Sequence, residues 1–216
     1  MNFPDEGGRS RIPPADANFL ILATDTKKQI AGVVRHEAGH AVMAWHLGCY
    51  VRWIVYGIDS LGAPHGVTNH LLPRDAHGRI MILLSGTLAL YLHDVASTPT
   101  KETFLTWASS NYDEAVSGAG DWIEVLKLAD KPLGQGWDYH LTHAVLPYFA
   151  EAVTALASRR AQIDDLTQFL LDRPGGAGPR ALRRFAAGLS PSPWADWRDR
   201  RRVKLALADS RKHSLL

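Results

Sequence analysis

Apolar residues recurring at three- and four-residue spacing predict a first long helix from about Lys27 to Leu47, with Ile30, Val33, Val34, Val42, Met43 and Leu47 as its greasy surface. Thr26 and Gln29 have capping-box spacing at its start, and Gly48 suits its C-terminal stop. The pattern then changes. Tyr50 to Tyr56 is rich in β-branched and aromatic residues and reads as a strand. Gly57, Gly62, Pro64 and Gly66 punctuate the next stretch, and Val67 to His70 predicts a short return strand, so the two make one small hairpin. Asp75 is placed to cap a second helix, from about Ala76 to Val95. Its core is the longest uncharged apolar run in the chain, Ile80 to Leu92. A bilayer span needs about 20 such residues, so this run reads as a core helix and no membrane span is expected.

Later elements are signalled less strongly. A helix is expected over 100–112, a break at Ser117-Gly118-Ala119-Gly120, and a helix from about Asp121 to Ala129 ended by Pro132, Gly134 and Gly136. A long helical stretch from about Tyr139 to Leu171 carries a break or kink at Pro147 and ends at Pro174-Gly175-Gly176. Residues 179–187 read as one more short helix and 194–209 as a basic one containing Trp194 and Trp197. The resulting fold class is mainly α, with one small β-hairpin directly after the first helix. Residues 1–16, rich in Gly, Pro and charge, read as a flexible arm, 17–189 as a single folded body, and 190–216 as a basic tail.

Composition changes this picture in two places. A single cysteine, Cys49, excludes an internal disulfide framework and a Cys-rich zinc module, and the first residues resemble no secretory leader, so a cytoplasmic location is expected. The net charge of +2 conceals an asymmetry: Arg173 to Leu216 holds 11 Lys/Arg against 3 Asp/Glu, a local +8, and the preceding residues carry −6. Arg198, Arg200, Arg201 and Arg202 beside the two Trp residues come with no recognised nucleic-acid motif, so no nucleic-acid partner is expected.

The chemistry is concentrated in His36-Glu37-Ala38-Gly39-His40. On a helix, residues four apart share one face, so both imidazoles can reach one metal ion while Glu37 reaches a water bound to it. Zinc in a hydrolase takes three protein ligands and keeps a fourth position for water. The third ligand must come from elsewhere, because His46 lies six residues past His40 on a different face. Asp113, Glu114, Asp121 and Glu124 are the carboxylate candidates in the later helices.

The segment Val34-Arg35-His36-Glu37-Ala38-Gly39-His40-Ala41-Val42 resembles the opening helix of the peptidase domain of FtsH-type, ATP-dependent zinc proteases. Leu83-Leu84-Ser85-Gly86-Thr87-Leu88-Ala89 resembles that family's second helix, Ser117 to Ile123 its Thr-Gly-Ala segment leading into the metal-binding Asp, and Arg159 to Leu171 its closing helices. The match before Asp121 is one residue shorter than the family spacing, and Leu90 replaces a usual acidic residue. The resemblance implies a helical zinc-metallopeptidase domain with Zn2+ on His36, His40 and Asp121, Glu124 being the runner-up ligand. It implies Glu37 as general base, and an edge strand near Gly66, Val67, Thr68 and Asn69 that pairs with an extended peptide. The expected activity is endoproteolysis of flexible or unfolded polypeptide. No ATPase module or membrane anchor is recognised, which leaves a separate unfoldase or self-association into an oligomer as routes of substrate delivery. The alternative is a non-catalytic, zinc-binding relative that serves as a binding or regulatory module. His65 and His70, in the hairpin, are further candidates for polarising a substrate carbonyl.

Overall fold

A computed structural model of the chain describes residues 24–73, 75–95, 98–111, 119–133 and 136–189. The arm 1–16, the tail 190–216 with the expected helix 194–209, and the candidate ligands Asp113 and Glu114 lie outside them. In chain order the elements are α1 (Thr24–His46), β1 (Val51–Ile58), β2 (Pro64–His70), α2 (Ala76–Asp94), α3 (Lys101–Ser110), α4 (Ala119–Leu128), α5 (Trp137–His140), α6 (Phe149–Ala157), α7 (Arg160–Leu171), β3 (Gly176–Ala177) and α8 (Pro179–Gly188). The described chain is mainly helical with a small three-stranded antiparallel sheet.

α1 is the axis of the fold. Ile30, Val34, Ala38, Ala41 and Val42 are all but inaccessible, and the helix packs against α2, α7 and β2. It begins at Thr24, so Thr26 lies inside it and does not cap it: nothing between Thr24 and Gln29 breaks helical geometry. Its other end stops where expected. Gly48 has φ +76, and the Gly48 and Cys49 amides donate to the Trp45 and Ala44 carbonyls at 2.9 and 2.7 Å, the paired bonds of a Schellman stop.

α2 is the second core helix. Asp75 caps it, its carboxylate accepting from the Gly78 amide at 2.7 Å, and thirteen of its nineteen residues are buried, which accounts for the apolar run as core. Gly39 is what lets α1 and α2 touch: a Cβ there would lie 2.4 Å from the Ser85 carbonyl oxygen and 2.7 Å from the Ala89 Cβ. Among the described residues no helix is long and apolar enough to cross a membrane.

The expected two-stranded hairpin is corrected to a sheet of order β2-β1-β3. Ile54 and Val55 pair with Ala177 and Gly176 on one side, and with Thr68 and Val67 on the other. Gly176 is required there, with φ +116 and a Cβ that would fall 2.0 Å from the Ile54 carbonyl oxygen. Tyr56 reinforces the junction by donating its hydroxyl to the Leu170 carbonyl at 2.7 Å, at the end of α7. β2 is therefore the outer strand on the side nearest α1.

The long helical stretch expected over 139–171 is broken into three pieces. The Leu146 amide bonds to the Leu141 carbonyl, five residues back, in a π-type turn over Leu141–Val145, and Pro147 offers no amide to continue the ladder. α6 and α7 come after it as separate helices and pack on α2 and α1 respectively.

Candidate metal centre

Helical spacing puts His36 and His40 on the same face of α1, one turn apart, with ring centroids 4.6 Å from each other. Both residues are buried, as is Glu37 between them. Asp121 arrives from α4, in its first turn, where the helix dipole favours a carboxylate. Its Oδ2 lies 3.1 Å from His36 Nε2 and 3.1 Å from His40 Nε2. These three residues are brought together; Glu124 is not. It is half-exposed on α4 and paired with Lys127.

The buried His36–His40–Asp121 group can hold a metal ion, its ligand atoms all lying within 4.8 Å of one another. A tetrahedral zinc ion with bonds of about 2.0–2.1 Å places neighbouring ligand atoms about 3.3 Å apart. The 3.1 Å spacings from Asp121 Oδ2 to the two imidazoles fit that requirement. His40 is further oriented by the Ile82 carbonyl, which accepts from Nδ1 at 2.7 Å and so turns Nε2 toward the site. His36 has no such second bond, since its buried Nδ1 lacks a partner. Its ring is instead held by space: a Cβ on Gly86 of α2 would fall 2.4 Å from His36 Nε2.

Without metal the cluster is a tight ionic group. Burial alone would lower the His40 pKa, yet its hydrogen bond to Asp121 and the charge of that carboxylate, with smaller help from Glu37 and the Ile82 carbonyl, raise it from 6.5 to about 9. Burial likewise opposes ionisation of Asp121, but hydrogen bonds from His36 and His40 and their charge hold it well below the usual carboxylate range. Metal would take the place of protons here.

β2 closes over this centre. Strand alternation turns Gly66 and Thr68 to the same inner face as Tyr56 and Ile54, their partners on β1. The Thr68 hydroxyl lies 2.6 Å from Glu37 Oε2 and 3.0 Å from the Glu37 carbonyl. A Cβ on Gly66 would meet Glu37 Cγ at 2.6 Å, so only glycine allows the strand this close. A cleft of about 500 Å3 runs between the sheet and the helices, lined by the metal-site residues and Glu37, by Val33, Ile82 and Leu83, and by the β2 face. Of the four strand residues expected at the substrate, Gly66, Val67 and Thr68 line it and Asn69 does not. Both His65 and His70 also line it, and burial leads in lowering the His70 pKa below its ordinary value.

Sequence reasoning missed the Ile82 carbonyl, the Gly86 contact and the hold of Thr68 on Glu37. Every residue carries a carbonyl, so the first left no signal; the other two emerge only once strand register and helix crossing are known. No protein-family model matches the chain, and no curated protein sequence matches it.

Proposed function

We propose that the protein is a zinc-dependent metalloendopeptidase that hydrolyses flexible or unfolded polypeptides. The observation that carries this reading is the convergence of three groups at one cleft: a two-imidazole, one-carboxylate donor set, a buried glutamate beside it, and an outer β-strand along its rim. Nitrogen and carboxylate donors in this number are those of catalytic zinc. A bound zinc ion supplies a water acidified to about neutral pH and a positive charge for the developing oxyanion.

The chain's own residues do the rest. Glu37 takes the proton from the attacking water and passes it to the departing amine, the role for which a carboxylate next to the metal ligands is suited. His40, fixed by the Ile82 carbonyl, and His36, fixed by the contact with Gly86, keep the donor set pointed at one place. An extended peptide added to the outer edge of β2 would run along the cleft, with main-chain hydrogen bonds that read no sequence. Val33, Ile82 and Leu83 give the cleft wall an apolar surface for its side chains.

The test is hydrolysis of casein by the zinc-loaded protein and by Glu37→Gln, with zinc content measured on both. Wild type is expected to cleave and Glu37→Gln to retain zinc while losing cleavage. Equal inertness of the two zinc-bound proteins on casein and on peptides would remove the peptidase reading in favour of a non-catalytic zinc module.

A further inference from the structure

We propose that Thr68 is a positioning residue for Glu37, so that the strand lying along the cleft also sets the orientation of the general base. This rests on the peptidase reading and extends it. The Thr68 hydroxyl has one proton and two acceptors within reach, Glu37 Oε2 at 2.6 Å and the Glu37 carbonyl at 3.0 Å. The shorter contact falls in the range of a charge-assisted O–H···O⁻ bond, and the carboxylate is the better acceptor, so the proton belongs chiefly to Oε2. Gly66, two residues earlier on the same inner face, lies against the other oxygen: a Cβ there would sit 2.9 Å from Oε1. One carboxylate oxygen is thus tied to the strand by a hydroxyl, and the other is left clear by a missing side chain. Position 68 itself is pinned by pairing with Ile54 in the centre of the sheet, and Ile54 is buried.

This arrangement answers a need of the chemistry. A glutamate has three side-chain torsions, and a base that wanders among rotamers spends little time aligned with the water it must deprotonate. A hydroxyl donor on Oε2 selects one arrangement and leaves Oε1 to receive the proton.

Thr68→Val keeps the β-branched shape and removes only the hydroxyl, Thr68→Ser keeps the hydroxyl, and Glu37→Gln supplies the reference background. Two readouts are used: kcat and KM of the zinc-loaded variants on a fluorogenic peptide, and urea unfolding of the metal-free proteins in a double-mutant cycle. Thr68→Val is expected to lower kcat about ten- to a hundredfold, the worth of a hydrogen bond to a charged group, with KM within about twofold. Thr68→Ser recovers most of the loss. The unfolding equilibrium shows a coupling of about tenfold between positions 68 and 37, so that Thr68→Val matters much less in the Glu37→Gln background.

An unchanged kcat in Thr68→Val, a Thr68→Ser variant no better than Thr68→Val, or absent coupling each overturns the assignment. Should Thr68→Val not fold, Thr68→Ala compared with Thr68→Ser makes the same comparison. If wild type cleaves nothing, the peptidase reading falls and this role falls with it. If wild type cleaves, Glu37→Gln does not and Thr68→Val matches wild type, the positioning role alone fails.

Discussion

Replacing Gly86 by alanine should separate the metal centre from the fold that carries it. The added methyl would sit 2.4, 2.5 and 2.6 Å from Nε2, Cε1 and Cδ2 of His36, against an ordinary contact limit near 3.4 Å. One partner must therefore move by about 1 Å. α2 has little freedom to do so, because Gly39 of α1 already lies against its Ser85 carbonyl and Ala89. The ring gives way instead, because its Nδ1 has no hydrogen bond and Nε2 is held only by the contact with Asp121. Ligand distances tolerate only about 0.2 Å, so His36 drops out of the donor set and zinc affinity falls by at least about 100-fold. That is about 2.7 kcal/mol of binding. The metal-free fold feels an opposite influence, since alanine favours a helix interior over glycine by about 1 kcal/mol. Competition with a chromophoric chelator gives the affinity, and urea unfolding of the metal-free protein gives the stability. A Gly86→Ala protein that binds zinc within about threefold of wild type would refute the account of how His36 is held, by showing that the ring is not confined as described.

Other consequences are equally measurable. Asp121→Ala should cost zinc affinity by about 100-fold or more, and Glu124→Ala should leave it within about twofold, as titrated by calorimetry; the reverse order would make Glu124 the ligand. For pH, the His40 pKa is raised to about 9 in the folded, metal-free protein, so its contribution is fully present below pH 6.5 and is lost as pH rises through about 9. Asp121, shifted downward, contributes above its unfolded value of 3.8 and loses that contribution as pH falls. Metal-free stability should therefore peak between about pH 4 and 6.5 and decline by about 3 kcal/mol toward pH 9.5, as followed by urea unfolding. A flat profile across that interval would contradict the ionic cluster. Zinc binding at pH 7 should release about one proton from His40, seen as a dependence of binding heat on the buffer's ionisation enthalpy. Gly176→Ala, with φ +116 and a Cβ 2.0 Å from the Ile54 carbonyl, should destabilise the fold by about 2–4 kcal/mol in thermal melting.

How much of this could be read beforehand depended on whether the information was local. α1, its stop at Gly48, the Asp75 cap and the strand from Tyr50 onward were legible because periodicity, glycine and capping chemistry act within a few residues. So was the pair His36 and His40, since helix geometry alone brings them together. Asp121 is 85 residues from His36, and no spacing rule connects them; only the family resemblance pointed to it, and α4 then placed it. β3 was invisible because two residues, one of them glycine, have no hydrophobic alternation to detect. Its pairing is made by backbone groups that every sequence possesses. Pro147 announced a break, but the π-type turn ahead of it depends on which carbonyl the Leu146 amide reaches. The Thr26 cap failed because the residues before it also accept helical geometry.

The late pairing of Gly176 and Ala177 with Ile54 and Val55 has a consequence for synthesis on the ribosome. α1, β1, β2, α2 and α4 all emerge before that segment, so His36, His40, Asp121 and Glu37 are in hand while β1 still has a bare flank. A chain arrested short of residue 176 would leave Ile54 and Val55, on the central strand, without their Gly176 and Ala177 partners, and bare strand flanks recruit other chains. Translation of the last part of the body is thus the step that turns β1 from an outer strand into an inner one.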